Sequence, residues 1–414
     1  MGQDQRTFVI VGGGLAGAKA AETLRDKGFG GRLVVFAAEP HFPYERPPLS
    51  KTYLSGDDTL EQLYARPPHW YVDNDVELLL ASPATGLDLD AHTVSSGSDT
   101  IGFDKLLVAT GSSPRRLPLA DDSGTPVAYL RTIEDSRRIR ERLRPECRLV
   151  VVGGGWIGLE VAAAARTFGS AVTVVEPLQQ PLLRVLGPEL ASVFAELHTG
   201  HGVDLRTGAS VVGIDGDGNR AQVYLDDGAV LPADLVLVAI GALPDTELAE
   251  TAGVKTDDGI VVDQHLQTSA RDVFAAGDVA NAYHAHLGHH LRVEHWDNAV
   301  GQGTTAALNM LGADISYSRM PYFYTDQYDL GMEYVGHVGP DGYDDVVIRG
   351  DVHRRVFSAF WLRGSTVLAG MHVNDSDAMA AIRRIVAAPR VDVTTLTDPR
   401  VPLDSLASGA PVEG

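Results

Sequence analysis

One unit occurs twice along the chain. The apolar residues 8–11 lead into Gly12-Gly13-Gly14-Leu15-Ala16-Gly17, a helical run, a second apolar stretch at 33–36, and Glu39. The apolar residues 149–152 lead into Gly153-Gly154-Gly155-Trp156-Ile157-Gly158, a helical run, an apolar stretch at 172–175, and Glu176. Each copy predicts a strand, a glycine-rich turn, a helix, a second strand and a closing acid, the βαβ unit that holds a dinucleotide. The first glycine permits the tight turn, the second lets backbone approach a pyrophosphate, and the third lets helix and strand pack closely. Free N–H groups at the helix start then face the phosphates. One such match is weak support; two, each with the right flanks and an acid about 20 residues further on, are strong.

Two dinucleotide sites in one chain point to two different dinucleotides. A tightly held flavin and a mobile nicotinamide form the natural pair, since a nicotinamide delivers hydride and a flavin receives it. Residues 103–109, followed by Thr110-Gly111-Ser112, and residues 235–240, followed by Gly241-Ala242-Leu243-Pro244, read as crossings between the two nucleotide domains. Val273-Phe274-Ala275-Ala276-Gly277-Asp278 reads as a strand whose closing carboxylate stands at a helix start, suited to a ribityl hydroxyl or to simple N-capping.

Composition narrows the function classes. The 414 residues leave room for two or three domains. A net charge of −21 disfavours nucleic acid and anionic membranes as partners. The one cysteine, Cys147, permits no intramolecular disulfide, dithiol pair or cysteine-based metal site, and reads as core packing. No secretory signal is expected from the residues 1–11, and the apolar residues 235–242 fall far short of the roughly 20 needed to span a bilayer. A cytoplasmic protein is expected, with a frayed tail at 408–414.

Further pieces carry a family resemblance: Pro43-Tyr44-Glu45-Arg46-Pro47-Pro48-Leu49-Ser50-Lys51, Ala109-Thr110-Gly111, the second fingerprint through Glu160, Ala276-Gly277-Asp278, Glu294-His295-Trp296, and Pro321-Tyr322-Phe323-Tyr324-Thr325-Asp326-Gln327. With these the chain resembles, over nearly its whole length, the FAD-dependent NAD(P)H:ferredoxin reductases serving Rieske oxygenases and bacterial cytochromes P450. Their fold is the glutathione-reductase-like flavoprotein fold. In related disulfide reductases the region around 43–51 carries redox cysteines; here it has none. Tyr324 and Thr325 stand where the family commonly has Trp and Ser, at a position implied to face the flavin and the docking iron–sulfur partner.

The resemblance implies an α/β protein with two Rossmann-like dinucleotide-binding domains and a C-terminal α+β domain. Residues 1–115 and 241–320 would bind FAD, 116–240 NAD, and 321–414 would cover the flavin and form part of the docking surface. NADH would reduce FAD, and electrons would pass singly to a ferredoxin. The implied FAD contacts are Gly12, Gly14, Leu15, Ala16, Gly17, Glu39, Arg46, Lys51, Ala81, Thr110, Gly111, Arg131, Gly277, Asp278 and Trp296. The implied NAD contacts are Gly153, Gly155, Ile157, Gly158, Glu176 and Gly241. Lys51 and Glu160 would pair beside the reacting ring. Glu176 would repel a 2′-phosphate, and Pro177-Leu178-Gln179-Gln180 offers no Arg or Lys to welcome one, so NADH is expected over NADPH.

Other features read more plainly. His284, His286, His289 and His290 read as a loop that could take zinc or nickel adventitiously, with no functional metal expected. The arginines between Arg137 and Arg144 read as a solvated helix face, and Arg66 and Arg319 as a local basic patch for an acidic ferredoxin. Other acceptors (rubredoxin, a quinone or oxygen) remain open. So does a slow signalling flavoprotein of the apoptosis-inducing-factor type.

Overall fold

Short apolar runs rich in β-branched residues and buried throughout, such as Phe8, Val9, Ile10 and Leu33, Val34, Val35, make strands covered on both faces, as parallel sheets require. The computed structural model describes residues 4–339 and 341–406, so the tail at 408–414 lies outside the described residues. By its contacts the chain divides into two units. The first comprises Met1–Pro48, Asp58–Ser113 and Ala242–Arg319; the second comprises Leu49–Asp57, Pro114–Gly241 and Met320–Gly414.

The first unit is built on a five-stranded sheet in the order Val273–Ala275, Lys105–Val108, Thr7–Val11, Arg32–Phe36, Val76–Leu79. All four pairings are parallel, with Val9 opposite both Val34 and Leu106. The helices Leu15–Asp26 and Trp296–Met310 meet almost backbone to backbone. A Cβ on Gly303 would stand 2.3 Å from the Ala16 carbonyl oxygen, so only glycine permits that approach.

Two local expectations are corrected here. The Gly277–Asp278 pair opens no helix. It forms one 3-10 turn, Gly277–Val279, and the chain goes straight into the strand Ala280–His284. The histidine-rich segment is not a free loop. His284 and His289 face each other across a hairpin, with Tyr283 opposite His290. Among the described residues no group of three or more His, Cys, Asp or Glu could hold a metal ion.

The second unit holds another parallel sheet, ordered Asp204–Thr207, Ala171–Glu176, Arg148–Val152, Leu235–Val238, Val127–Ala128. It also holds a five-stranded antiparallel sheet, ordered Tyr322–Gln327, Leu330–Gly336, Thr366–Val373, Val356–Arg363, Asp345–Asp351, with the helix Met379–Ala387 packed on it. Within this unit Trp361 donates its ring N–H to the Leu186 carbonyl at 3.1 Å. The ring of Trp156 lies 5.5 Å from that of Phe194 and 5.1 Å from that of Phe323. These contacts join the parallel and antiparallel sheets.

The helix Ile133–Arg142 starts where a capping box dictates. Thr132 accepts from the Asp135 N–H, and the Asp135 carboxylate reaches back to the N–H of Thr132. Its arginines are not all solvated, a correction to the bland reading. Arg137 donates to the Tyr53 hydroxyl at 2.8 Å and Arg140 to the Tyr53 carbonyl at 3.3 Å, while Ser136 donates to the Leu49 carbonyl at 2.8 Å. Only one side of the helix is free, with Arg138 paired to Asp135 there. The helix thus clasps the short segment Leu49–Asp57, which carries Lys51. Cys147 is buried, and that burial pushes its thiol pKa up, as befits an inert core residue. No helix among the described residues is long and apolar enough to cross a membrane.

Candidate functional site

In the first unit the glycine turn leaves an open cradle. Gly12 has φ +130°, and a Cβ there would stand 2.0 Å from the Ala109 carbonyl oxygen. A Cβ on Gly17 would stand 2.1 Å from the Gly12 carbonyl oxygen, so the helix can start hard against the turn. Gly14 caps that helix with no side-chain hydrogen bond and open space where a Cβ would be. The N–H groups of the first turn therefore face a gap shaped for phosphate oxygens. The half-buried Trp296 points a buried ring N–H that has no partner among the described residues. These features fit an adenine dinucleotide.

The remaining first-unit candidates have partners of their own. Glu39 accepts from the Tyr44 hydroxyl at 2.6 Å and from Arg46 at 2.8 Å. Arg46, expected to bring positive charge to a flavin, is thus matched by Glu39. A carboxylate has about four lone-pair sites, so Glu39 keeps capacity for ribose hydroxyls. The Glu39 carbonyl accepts from the N–H of Ala81, which sits in the left-handed region at φ 51°. Thr110 donates to the Asp245 carbonyl at 2.7 Å, and Gly111 has φ +80°. Asp278 accepts from Ser112 at 2.9 Å, and Gln302 takes the Gly277 N–H at 2.9 Å, fixing the turn that presents the carboxylate. The expected basic patch is not free charge. Arg66 is paired with Glu22, and Arg319 with Asp297 at 2.8 Å.

The second unit repeats the cradle. Gly153 has φ +106° with a Cβ position 2.4 Å from the Ala239 carbonyl oxygen, and Gly158 abuts the Gly153 carbonyl in the same way. Gly155 is open, Ile157 is exposed at the helix start, and Gly241 has φ +105° with open space around it. Glu176 accepts from the N–H of Gly154 at 2.8 Å and of Leu178 at 2.9 Å. Those bonds hold the carboxylate at the mouth of the turn. Arg131 and Lys51 also lie in this unit. The Arg131 N–H donates to the Asp135 carboxylate at 3.0 Å.

Lys51 and Glu160 meet. The ammonium lies 2.7 Å from Glu160 Oε1, with only 12% and 5% of the two side chains exposed. Ser50 donates to Glu160 Oε2 at 2.5 Å, and Thr325 donates to Oε1 at 2.6 Å. The carboxylate therefore has one cationic and two hydroxyl donors, the compensation a buried charge needs. The Tyr324 ring centroid lies 5.5 Å from the Lys51 ammonium.

Behind Thr325 stand Gln327, at 3.1 Å, and then His198, at 2.8 Å from Gln327. Sequence reading pointed to Lys51 and Glu160 but not to Ser50, Gln327 or His198 as parts of this site. Ser50 and Gln327 sit inside quoted motifs and could have been found there. His198 is 129 residues from Gln327, in the helix Leu183–Gly200, and nothing local marks it.

Burial lowers the His198 pKa from 6.5 to about 4, with the neighbouring His201 adding to the effect and the Gln327 bond opposing it. The unfolded chain therefore binds a proton that the folded one refuses. Stability is expected to fall as pH drops from about 6.5 towards 4, by at most about 3 kcal/mol from this group. Denaturant melts of wild type and His198→Gln across that range check this; the variant should lose part of the slope.

Comparison with known proteins fits this geometry. Residues 6–303 match the family described as pyridine nucleotide-disulphide oxidoreductase, and residues 322–407 match the one described as reductase C-terminal. The putidaredoxin reductase of Pseudomonas putida is 37% identical over 98% of this chain and 97% of that protein. The ferredoxin–NAD(+) reductase component of the anthranilate 1,2-dioxygenase system of Burkholderia cepacia is 38% identical over 96% and 98%.

Among solved structures, the covalent putidaredoxin reductase–putidaredoxin complex aligns with a TM-score of 0.93 at 36% identity, covering 99% of each chain. The ferredoxin reductase for the CYP199A2 system of Rhodopseudomonas palustris aligns with the same score at 35% identity, over 98% of this chain and 100% of that one. With two bare glycine cradles, a closing acid on each, and matches spanning almost its whole length, the chain belongs to the pyridine nucleotide-disulphide oxidoreductase family and ends in that group's reductase C-terminal domain.

Proposed function

We infer that the protein is an NADH-dependent ferredoxin reductase carrying FAD, which feeds electrons to an iron–sulfur protein of a P450 or Rieske oxygenase system. The observation that carries this reading is the end-to-end match to ferredoxin–NAD(+) reductases by a chain whose one cysteine, Cys147, is buried and lies outside the 43–51 segment. Bound FAD supplies a ring that takes two electrons from NADH as hydride and gives them out singly. The first-unit cradle would hold the FAD pyrophosphate, Glu39 its adenosine ribose and Asp278 its ribityl chain. The second cradle and Glu176 would hold NADH. The Lys51–Glu160 pair would fix charge and position at the reacting ring. A cytoplasmic location belongs to the same proposal, since NADH is supplied there.

Anaerobic NADH should bleach the flavin within seconds, and cytochrome c should then be reduced quickly only when an iron–sulfur protein is added. Fast NADH consumption in air without any partner would identify an oxidase instead. Slow bleaching with a long-lived charge-transfer band would favour a signalling flavoprotein.

Coenzyme choice gives a sharper check. Glu176→Ala removes the charge that opposes a 2′-phosphate. It is expected to lower the NADH:NADPH ratio of kcat/KM by about tenfold, roughly 1.4 kcal/mol. An unchanged ratio would remove Glu176 from coenzyme recognition.

A further inference from the structure

The hydrogen bonds behind Glu160 have a direction. An ionised carboxylate only accepts, so the Thr325 proton must point at Glu160 Oε1, 2.6 Å away. The Thr325 oxygen is then left to receive, and Gln327 must present its NH2 group to it at 3.1 Å. That orientation turns Gln327 Oε1 to His198, whose Nε2, 2.8 Å away, must carry the ring proton. The other ring nitrogen, Nδ1, is buried with no partner among the described residues, as suits the bare nitrogen of that tautomer. Thr325, Gln327 and His198 are at most 1% exposed, so each must be satisfied by the next.

The series also bears on the ion pair itself. Lys51 and Thr325 share Glu160 Oε1, whereas Ser50 holds Oε2. If Thr325 stopped donating, the carboxylate could turn about its Ser50-held oxygen and carry the ammonium with it. The far end is well anchored. His198 lies in the helical stretch Leu183–Gly200, beyond its kink at Gly187, and the Tyr328 ring, just beyond Gln327, stacks on His201 with ring centroids 3.7 Å apart.

We propose that His198 is a positioning residue for the Lys51–Glu160 pair: its Nε2–H locks the Gln327 carboxamide, which fixes the Thr325 hydroxyl as a donor to Glu160. This rests on the reading that the pair serves flavin reduction. Without the His198 proton the Gln327 amide is free to flip. Its oxygen then takes the Thr325 proton, and Glu160 loses one of three donors.

The test uses the FAD-loaded enzyme and three variants, His198→Leu, His198→Gln and Gln327→Leu. His198→Leu should slow the limiting rate of anaerobic flavin reduction about fivefold to tenfold, the scale of a small misplacement in an active site. Its FAD content and apparent Kd for NADH should be unchanged. His198→Gln, whose carboxamide N–H can stand where Nε2–H stood, should recover to within about twofold.

Independently of turnover, 15N NMR of ring-labelled histidine should show His198 as the neutral Nε2–H tautomer, with its Nε2 shift changed in Gln327→Leu. An Nδ1–H tautomer, an unshifted signal in Gln327→Leu, a normal rate in His198→Leu, or a glutamine variant as slow as the leucine one each overturns the proposal. Should His198→Leu fail to fold, the glutamine variant and the NMR signature still decide. A normal rate in Lys51→Met would instead overturn the role of the ion pair itself. A slow Lys51→Met beside a normal His198→Leu would overturn only the positioning role.

Discussion

Lys51→Met is expected to slow anaerobic reduction of the bound flavin by NADH about 100-fold, the scale seen when one well-placed electrostatic donor is lost. Among the described residues the ammonium is the cation within bonding distance of a carboxylate that is 5% exposed. Methionine keeps much of the side-chain volume but leaves Glu160 with only the Ser50 and Thr325 hydroxyls. Removing one member of a buried pair typically costs about 3–5 kcal/mol, so a loss of thermal stability should accompany the slower rate. The two effects separate in Lys51→Met/Glu160→Leu. With both charges gone, part of the stability should recover, because apolar groups can replace a buried pair, although the Ser50 and Thr325 hydroxyls then lack their acceptor; the rate should not. The FAD:protein ratio should stay near one in both, since the glycine cradle is untouched. Stopped-flow bleaching at saturating NADH decides, and a wild-type limiting rate would remove Lys51 from the reaction.

Gly12→Val is expected to yield protein without flavin. The residue holds φ +130°, a region essentially reserved for glycine, and its Cβ would stand 2.0 Å from a backbone oxygen that cannot rotate away. The backbone strain alone costs on the order of 1–3 kcal/mol, and the overlap adds to it. The turn must therefore open, and the first-turn N–H groups of the helix Leu15–Asp26 lose their aim. The purified variant should lack the 450 nm absorbance typical of flavin and release no adenine dinucleotide on heating. The matching Gly153→Val should keep its flavin but lose NADH-dependent bleaching, because the strained turn then lies in the second cradle. If both variants are equally yellow and equally active, neither turn binds a dinucleotide.

Much of this architecture was legible because its signals are local. The strand–glycine–helix units declare themselves through apolar runs and backbone demands at Gly12, Gly17, Gly153 and Gly158, which only glycine meets. Lys51 and Glu160 were paired through family resemblance, and the 2.7 Å contact brings them together. The features that local sequence does not show depend on tertiary context. The helix expected after Gly277 gave way to a strand because Ala280–His284 is recruited by Ile260–Val262 and His289–Arg292. The arginines of the helix Ile133–Arg142 look alike in sequence, and only the position of Tyr53 distinguishes Arg137 and Arg140 from the rest. Arg66 and Arg319 read as spare positive charge in the sequence, but in the fold Glu22 and Asp297 pair with them. His198 had no periodic or motif signal, because its one informative bond joins elements far apart along the chain.

The clasp of Ile133–Arg142 on the segment around Lys51 bears on how such proteins can exchange parts. Nine residues from the first third of the chain, Leu49–Asp57, are structurally the property of the later nucleotide unit. A chimera that trades the NAD-binding portion of one relative for another by splicing at the two obvious crossings would leave those residues behind, facing a foreign helix. Carrying that short insert along with its clasp should rescue hybrids that otherwise fold but transfer electrons poorly, and it marks the smallest set of segments that recombination must move together.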